Sequence, residues 1–220
     1  MHNKFAIIDR QDVWTGSMNL TINSAYRNDD NLVHIRAPRL AQDYTVEFEE
    51  MFINDQFGPG SPANTPNPSL KVGGTNLEVY FSPDDGVQQQ IIRLIQGAQE
   101  SIAFMAYSFT SDDIAGALVE RSQVGVNVAG VMEAEQVQSN RGGEYDWLRA
   151  AGLDVRLDGN PNRMHHKVII IDAQTVITGS YNFSRSAETH NDENILVIHN
   201  PQVAALFMNE FSRLFQAASP

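Results

Sequence analysis

The chain contains an internal repeat, which constrains its fold more than any other feature. Displacing the sequence by 163 positions aligns residues 1–21, MHNKFAIIDRQDVWTGSMNLT, with residues 164–184, MHHKVIIIDAQTVITGSYNFS, without a gap. The register continues where NDDN at 28–31 aligns with NDEN at 191–194. Self-similarity at one fixed displacement indicates two copies of one structural unit.

The two copies differ in completeness. Between them, residues 58–69 contain four prolines and two glycines without apolar periodicity, which is typical of a linker. We interpret residues 1–57 as the C-terminal half of a first repeat, 58–76 as the linker and 77–220 as a complete second repeat. Because nothing ahead of the first copy corresponds to residues 77–163, the first repeat is expected to lack its N-terminal half.

The complete copy has the pattern of an α/β fold. From residue 77 onward, short apolar segments alternate with segments of helical periodicity. The apolar segments are nearly continuous, which predicts a sheet covered on both faces. In the first copy, KFAIID and VWTGSMN lack such cover, so unpaired strand edges and an exposed face are expected there.

Composition narrows the classes of function. The net charge of −12 argues against a broad basic surface, so an anionic substrate has to be captured locally. The absence of Cys excludes disulfides, thiol catalysis and cysteine zinc sites. His190 and His199 have no partner at metal-ligand spacing, so no metal site is expected. No apolar run approaches the roughly 20 residues that span a bilayer, so no transmembrane segment is predicted.

Each copy carries the same chemical groups in the pattern H-x-K-x4-D-x6-G-S-x-N, followed by an acidic residue. The first copy supplies His2, Lys4, Asp9, Gly16, Ser17, Asn19 and Asp30. The second copy supplies His165, Lys167, Asp172, Gly179, Ser180, Asn182 and Glu193. On a strand, positions i and i+2 face the same side, so His165 is expected to project with Lys167, and Ser180 with Asn182.

This set of groups suits a phosphodiester. Lysine and asparagine can bind the non-bridging oxygens, and a neutral imidazole can attack phosphorus while a second imidazole protonates the leaving oxygen. We assign phosphate binding or orientation to Ser17, Asn19, Ser180 and Asn182. Asp30 and Glu193 are each expected to hold the far ring nitrogen of the His in their own repeat.

The remaining motif positions are interpreted as structural. Asp9 and Asp172 lie an odd number of residues from the other groups and at a turn, so they are predicted to be structural anchors. Gly16 and Gly179 are structural motif positions, and Gly179 allows backbone or substrate to approach closely.

The paired pattern resembles that of the phospholipase D superfamily. The sequence of the second copy, MHHKVIIID with TGSYNFSRSAE and NDEN, is similar to the bacterial endonuclease branch of that superfamily. The resemblance implies two pseudo-twofold-related α/β/α sandwich repeats, here with the first truncated, and a site at their interface. It also implies phosphodiester cleavage or transfer through a phosphohistidine, without a metal or other cofactor. The catalytic residues would be His2, Lys4, His165 and Lys167.

Three functions stay open from the sequence. A nuclease acting on DNA or RNA is favoured, because no long apolar insertion or basic amphipathic stretch is suited to a bilayer. A phospholipase D or phosphatidyl transferase would use the same residues on a lipid head group. The chain could also be an inactive or partner-dependent fragment. In that case a complementary chain supplies the absent half, or a homodimer pairs two second repeats in a site with His165 from each copy.

Side chains around the second motif are interpreted from their positions. By strand alternation, His166 faces away from the motif and is predicted to be structural. Tyr181 and Phe183 are the candidates for base stacking. Arg163 and Arg185 flank the motif and could supply a local positive field. The aromatic residues of the segment SIAFMAYSF are predicted to be core: Phe104, Tyr107 and Phe109.

Overall fold

The computed structural model describes residues 1–140 and 142–219; Arg141 and Pro220, the latter ending the predicted second repeat, lie outside the described residues. The first repeat forms β1 (Phe5–Ile8), β2 (Asp12–Gly16), α1 (Ile22–Tyr26), β3 (Leu32–Arg36) and α2 (Pro38–Phe52), and a 3₁₀ turn follows at Gly58–Gly60. The remainder forms β4 (Ser69–Val72), β5 (Thr75–Ser82), α3 (Val87–Gly97), β6 (Ser101–Ala106), α4 (Asp112–Gln123), β7 (Asn127–Met132), α5 (Ala134–Ser139), α6 (Tyr145–Ala150), β8 (Asp154–Leu157), β9 (Lys167–Ile171), β10 (Thr175–Gly179), α7 (Arg185–Thr189), β11 (Glu193–His199) and α8 (Pro201–Ala217).

The larger sheet has eight strands in the order β4-β5-β11-β10-β9-β6-β7-β8. Strands β6, β7 and β8 are parallel, and the other neighbours are antiparallel. Alternate residues of β9 point to opposite faces: Ile169 packs with the α3 and α4 side, and Ile170 packs with α8. Helices therefore cover both faces of the sheet, which confirms the predicted α/β/α sandwich.

Helix α2 of the first repeat completes the cover of this sheet. Its buried Tyr44 packs edge-on against Phe81 of β5, in a cluster that also contains Leu196 of β11. Pro38 opens the helix at a position where its missing N–H costs no hydrogen bond. The first copy is thus joined to the second through a shared apolar core.

The strands of the first repeat form a separate three-stranded sheet, β1-β2-β3. Its inner face packs on α2, whereas Ile8 and Leu32 on the outer face are 49% and 39% exposed. Their equivalents 163 positions later, Ile171 and Ile195, are 6% and 2% exposed in the core beneath α3 and α4. The predicted uncovered face is present, but the predicted unpaired edges are only partly so, because β2 pairs with β1 on one side and with β3 on the other.

The predicted linker is shorter in the structure than its composition indicates. Residues 69–72 form β4, which pairs with β5 across a turn at Gly73 and Gly74, where both φ angles are positive. Gly58 is buried, and its N–H donates to the Asp192 carboxylate. The sequence analysis missed this hairpin because the proline-rich stretch runs directly into the short alternating segment SLKV, which was assigned to the linker.

The motif histidines, serines and asparagines flank strands rather than lying within them. Strand β9 begins at Lys167, so His165 precedes it, and β10 ends at Gly179, so Ser180 and Asn182 follow it. The prediction that these pairs share a strand face is wrong in this respect, because the segment around His165 leaves the β9 ladder to bond with the first repeat. Within residues 1–140 and 142–219, no helix combines the length and apolarity needed to cross a membrane.

Candidate active site

The two histidines are held by carboxylates in a crossed arrangement. His2 Nδ1 lies 2.7 Å from both carboxylate oxygens of Glu193, and His165 Nδ1 lies 2.8 Å from Oδ1 of Asp30. Each imidazole is therefore paired with the carboxylate of the other repeat. The prediction that each carboxylate holds the His of its own repeat is wrong.

Backbone hydrogen bonds explain the crossing. The N–H of His2 donates to the Asp192 carbonyl at 2.9 Å, and the N–H of His165 donates to the Asp29 carbonyl at 2.8 Å. Asp29 also forms an isolated bridge with Met164. Each H-x-K segment thus runs beside the acidic segment of the other repeat, which brings both motifs to one interface.

Both lysines lie near these two pairs. Lys4 Nζ donates to the His2 carbonyl at 2.7 Å, and Lys167 Nζ donates to the His165 carbonyl at 2.8 Å. Burial and then the nearby Lys4 lower the pKa of Lys167 to about 7, although Asp30 and Glu193 oppose the shift. Burial also lowers the pKa of Lys4. The site therefore contains two ammonium groups whose charge depends on the two carboxylates.

The two histidines have different environments. The His165 side chain is 7% exposed and that of His2 is 35% exposed. Burial lowers the pKa of His165, and the hydrogen bond with Asp30 partly offsets this effect. Burial alone would raise the pKa of Asp30, but hydrogen bonds led by that with His165 lower it overall. Burial thus favours a neutral His165 ring opposite an ionised carboxylate.

The predicted phosphate-binding residues divide into two kinds. The Ser17 hydroxyl is buried and donates to Asp30 Oδ1 at 2.7 Å, and the buried Ser180 hydroxyl accepts from the Asn194 N–H at 3.0 Å. Neither hydroxyl is open to a substrate, which leaves the serines only the orienting part of the predicted role. Asn19 and Asn182 are half-buried, and Asn182 Oδ1 has no hydrogen-bond partner among the described residues.

The glycines before these serines allow two backbones to approach closely. A Cβ at Gly16 would clash with the Asn31 carbonyl, and a Cβ at Gly179 would clash with the Asn194 carbonyl. Those carbonyls accept from the N–H groups of the following serines at 3.1 Å. The close approach expected at Gly179 is therefore made by backbone.

The two motif aspartates differ. Burial would raise the pKa of Asp172, but its carboxylate accepts the backbone N–H groups of residues 99–101 at 2.8–2.9 Å, and these bonds lower the pKa. It is the structural anchor that the sequence predicts. Asp9 is exposed, and no described residue donates to its carboxylate. No described contact therefore gives Asp9 the anchoring role that the sequence predicts for it.

A second set of paired positions links the repeats beneath the histidines. Thr178 donates to Asn31 Oδ1 at 2.8 Å, and Asn31 donates to His166 Nδ1 at 3.1 Å. Thr15 likewise donates to Asn194 Oδ1 at 2.8 Å, and Asn194 donates to Asn3 at 2.8 Å. His166 is structural, as predicted. The asparagines were missed, although the alignment contained the signal: both copies have Asn and Thr at these positions.

The aromatic predictions are partly wrong. Tyr181 and Phe183 are each 1% exposed and belong to the core, so they offer no stacking surface. Tyr107 is half-buried, and its ring centroid lies 4.5 Å from that of His165. It was predicted as core because its apolar segment continues beyond the end of β6. Phe104 and Phe109 are core, as predicted.

The two arginines that flank the second motif are both exposed. Arg163 is exposed and donates to the Tyr107 hydroxyl at 2.6 Å, whereas Arg185 is exposed at the start of α7. Across the part of the chain that the structure describes, no group of three or more His, Asp or Glu side chains is placed to hold a metal ion.

Comparison with known proteins identifies a family whose model matches most of the chain. A family model described as cardiolipin synthase, PLD-like domain, matches residues 1–52 and 91–215. A phospholipase D of Rickettsia prowazekii (strain Madrid E) is 36% identical over 140 residues, which are 63% of this chain and 68% of that protein. The phospholipase D family member Nuc from Salmonella typhimurium is 36% identical with a TM-score of 0.62, and the match covers 66% of this chain and 97% of Nuc.

A second solved structure is similar in fold alone. Phosphatidylserine synthase from Haemophilus influenzae Rd KW20 has a TM-score of 0.73 at 15% identity. The match covers 100% of this chain and 62% of that protein.

Proposed function

We propose, from the premise that the chain belongs to the phospholipase D superfamily, that it cleaves phosphodiesters through a phosphohistidine and that its substrate is nucleic acid. The observation that carries the proposal is the crossed pair of His–carboxylate contacts, with Lys4 and Lys167 close to both carboxylates. Each carboxylate occupies Nδ1 of its histidine, which leaves Nε2 to react. The two ammonium groups suit the oxygens of a bound phosphate.

The difference between the histidines assigns their roles. His165 is desolvated and favours its neutral form, so its Nε2 attacks phosphorus. The bond from phosphorus to the leaving oxygen breaks, and that oxygen takes a proton from Nε2 of His2, whose imidazolium the Glu193 carboxylate stabilises. Water then attacks the phosphohistidine, gives a proton to His2 and breaks the phosphorus–nitrogen bond.

A burst experiment tests this assignment. With bis(4-nitrophenyl) phosphate, whose leaving group needs no acid, H2N should release one equivalent of nitrophenol and then stall. The matched H165N variant should give no burst, because it lacks the nucleophile. A burst from H165N but not from H2N would reverse the two roles, and activity in both variants would exclude the mechanism.

One observation supports nucleic acid as the substrate class: the sequence of the second copy resembles the bacterial endonuclease branch. The net charge of −12 opposes this choice, but the lysines and the exposed Arg163 provide positive charge near the site.

A lipid substrate is the second candidate, and one structural feature favours it. A largely apolar cavity of about 410 Å³ lies beside Lys4 and Asn19, with Trp14, Leu20 and Leu32 in its lining. Similarity to the Rickettsia phospholipase D agrees with this reading. We rank it second because Trp14 and Leu32 correspond to Ile177 and Ile195, which the second repeat buries beneath helices.

Parallel assays separate the two substrates. Nicking of plasmid DNA and cleavage of single-stranded DNA and RNA are measured in excess chelator, beside hydrolysis of phosphatidylcholine vesicles. Activity on nucleic acid that H165N abolishes supports the first choice. Activity on lipid alone would overturn it, and activity lost in chelator would contradict metal-independent chemistry.

We also propose that activity depends on a polypeptide that completes the first repeat. In the second repeat, β6 pairs with the edge of β9, and α3 and α4 cover the outer face. The corresponding edge of β1 and face of the small sheet would accept a strand with two amphipathic helices. A fully active monomer would exclude this requirement.

The alternative homodimer, with one His165 from each copy, predicts a different result. The within-chain pairing of His165 with Asp30 supports a site that uses His2 of the same chain. Loss of activity in both H2A and H165A, measured together with molecular mass in solution, would support this within-chain site. Loss in H165A alone would support the cross-chain site, and inactivity of every form would support a fragment without catalysis.

A further inference from the structure

Tyr107 is fixed at the candidate site by its backbone. It follows Ala106, which pairs with Lys167 at the end of β6, and its N–H donates to the His166 carbonyl at 2.8 Å. The strand order therefore carries Tyr107 to the same end of the sheet as the H-x-K segment.

The Tyr107 side chain contacts three charged or reactive groups. Its ring meets the His165 ring edge-on, with centroids 4.5 Å apart and planes at 64°. Lys167 Nζ lies 4.7 Å from the same centroid, within the range of a cation–π interaction. Its hydroxyl accepts a hydrogen bond from Arg163, whose guanidinium carbon is 5.8 Å from the ring centroid.

The aromatic contact falls on the more buried of the two histidines. The His165 side chain is 7% exposed, and that of His2 is 35% exposed. The aromatic contact thus belongs to the histidine to which we assign nucleophilic attack.

We propose that Tyr107 is a positioning residue that holds the His165 ring and retains the ammonium form of Lys167 during phosphoryl transfer. The inference rests on the proposed function. Lys167 faces Lys4, which repels its charge, and Asp30 and Glu193, which attract it. The ring adds a stabilising partner that cannot itself lose a proton near neutral pH, because burial raises the pKa of Tyr107.

The same contacts argue against base stacking by this ring. Its surface already meets the Lys167 ammonium and the His165 ring, and its hydroxyl is bonded to Arg163. Glu133 and Glu135 act on the tyrosine from the β7–α5 side and add negative charge there, which disfavours a nucleic-acid backbone on that side.

The test compares Y107L and Y107F in the whole chain, with bis(4-nitrophenyl) phosphate as substrate. A cation–π contact contributes about twofold to thirtyfold, so Y107L should lower kcat by that factor. Loss of the ring lowers the pKa of Lys167, so the alkaline limb of the pH–rate profile should move to lower pH. Y107F keeps the ring and should keep the position of that limb.

Three outcomes would overturn the proposal: a wild-type profile in Y107L, equal shifts in Y107L and Y107F, or a loss confined to KM for single-stranded DNA. NMR without substrate separates this failure from failure of the proposed function. The His165 ring protons should change chemical shift in Y107L and stay nearly unchanged in Y107F. A wild-type chain that cleaves no diester but shows these shifts would refute the function while retaining the contact.

Discussion

At the scale of single residues, the site is defined by which carboxylate faces which imidazole. Asp30 and His165 are 135 positions apart in the chain, and His2 and Glu193 are 191 apart. Each contact spans the two copies, so neither copy alone assembles a complete His–carboxylate pair. The arrangement ties the formation of the site to the association of the repeats.

The crossed contacts predict which carboxylate variant changes the titration of His165. Asp30 supports the charged form of His165, so D30N should lower the pKa of His165. The matched control is E193Q, which alters the carboxylate that bonds to the other histidine and should change the pKa of His165 less. NMR titration of the His165 ring protons, assigned with H165N, measures both variants. A larger effect of E193Q than of D30N would refute the crossed pairing in solution.

At the scale of elements, α2 and α8 occupy equivalent positions, but the pKa values of their equivalent glutamates are shifted in opposite directions. In α8, Arg213 bonds to Glu210, and this contact together with that from His166 lowers the pKa of Glu210 to about 2. In α2, the equivalent of Arg213 is Glu50 and that of Glu210 is Glu47. Burial, followed by repulsion from Asp84, Glu50 and Asp192, raises the pKa of Glu47 to about 9, against a weaker opposing hydrogen bond from Asn3.

This difference predicts a pH-dependent stability that one substitution removes. The folded chain keeps a proton on Glu47 up to about pH 9, whereas the unfolded chain releases it near the ordinary glutamate pKa, so the stability contributed by this proton falls as pH rises between these values. E47Q should therefore raise Tm relative to the parent chain increasingly between pH 5 and pH 9, as measured by thermal unfolding.

The equivalent variant in α8 is the control. The pKa of Glu210 is lowered, so its contribution is fully present above the ordinary glutamate pKa and is lost as pH falls toward about 2. E210Q should lower Tm by a constant amount from pH 5 to pH 9. Parallel plots of Tm against pH for E47Q and the parent chain would show that the pKa of Glu47 is not raised.

At the scale of the whole molecule, two copies of one hairpin are buried to different extents. The outer face of the small sheet retains the apolar character of its counterpart, with Ile8, Trp14 and Leu32 in the places of Ile171, Ile177 and Ile195. Only the second copy has α3 and α4 above that face. The apolar face of the first copy therefore corresponds to a face that helices cover in the second copy.

Matched substitutions measure this difference. L32E places a charge on the exposed face and should change the free energy of unfolding by no more than about 0.5 kcal/mol. I195E places the same charge in the core and should cost about 4 kcal/mol or more. Chemical denaturation compares the two. A loss in L32E as large as that in I195E would show that the face is covered in solution.

The sequence alone determined the repeat, the α/β order, the motif residues and the uncovered face, because these depend on periodicity and on spacing along the chain. Tertiary structure decided the crossing of Asp30 and Glu193, the burial of Ser17 and Ser180, and the placement of Tyr107 against His165. Those features depend on which segments become neighbours: β6 pairs with β9 across more than 60 residues, and each H-x-K segment bonds to the other repeat. Strand alternation applies within one segment and does not predict which segments become neighbours. The contacts between the repeats are therefore defined only by the packing of the chain.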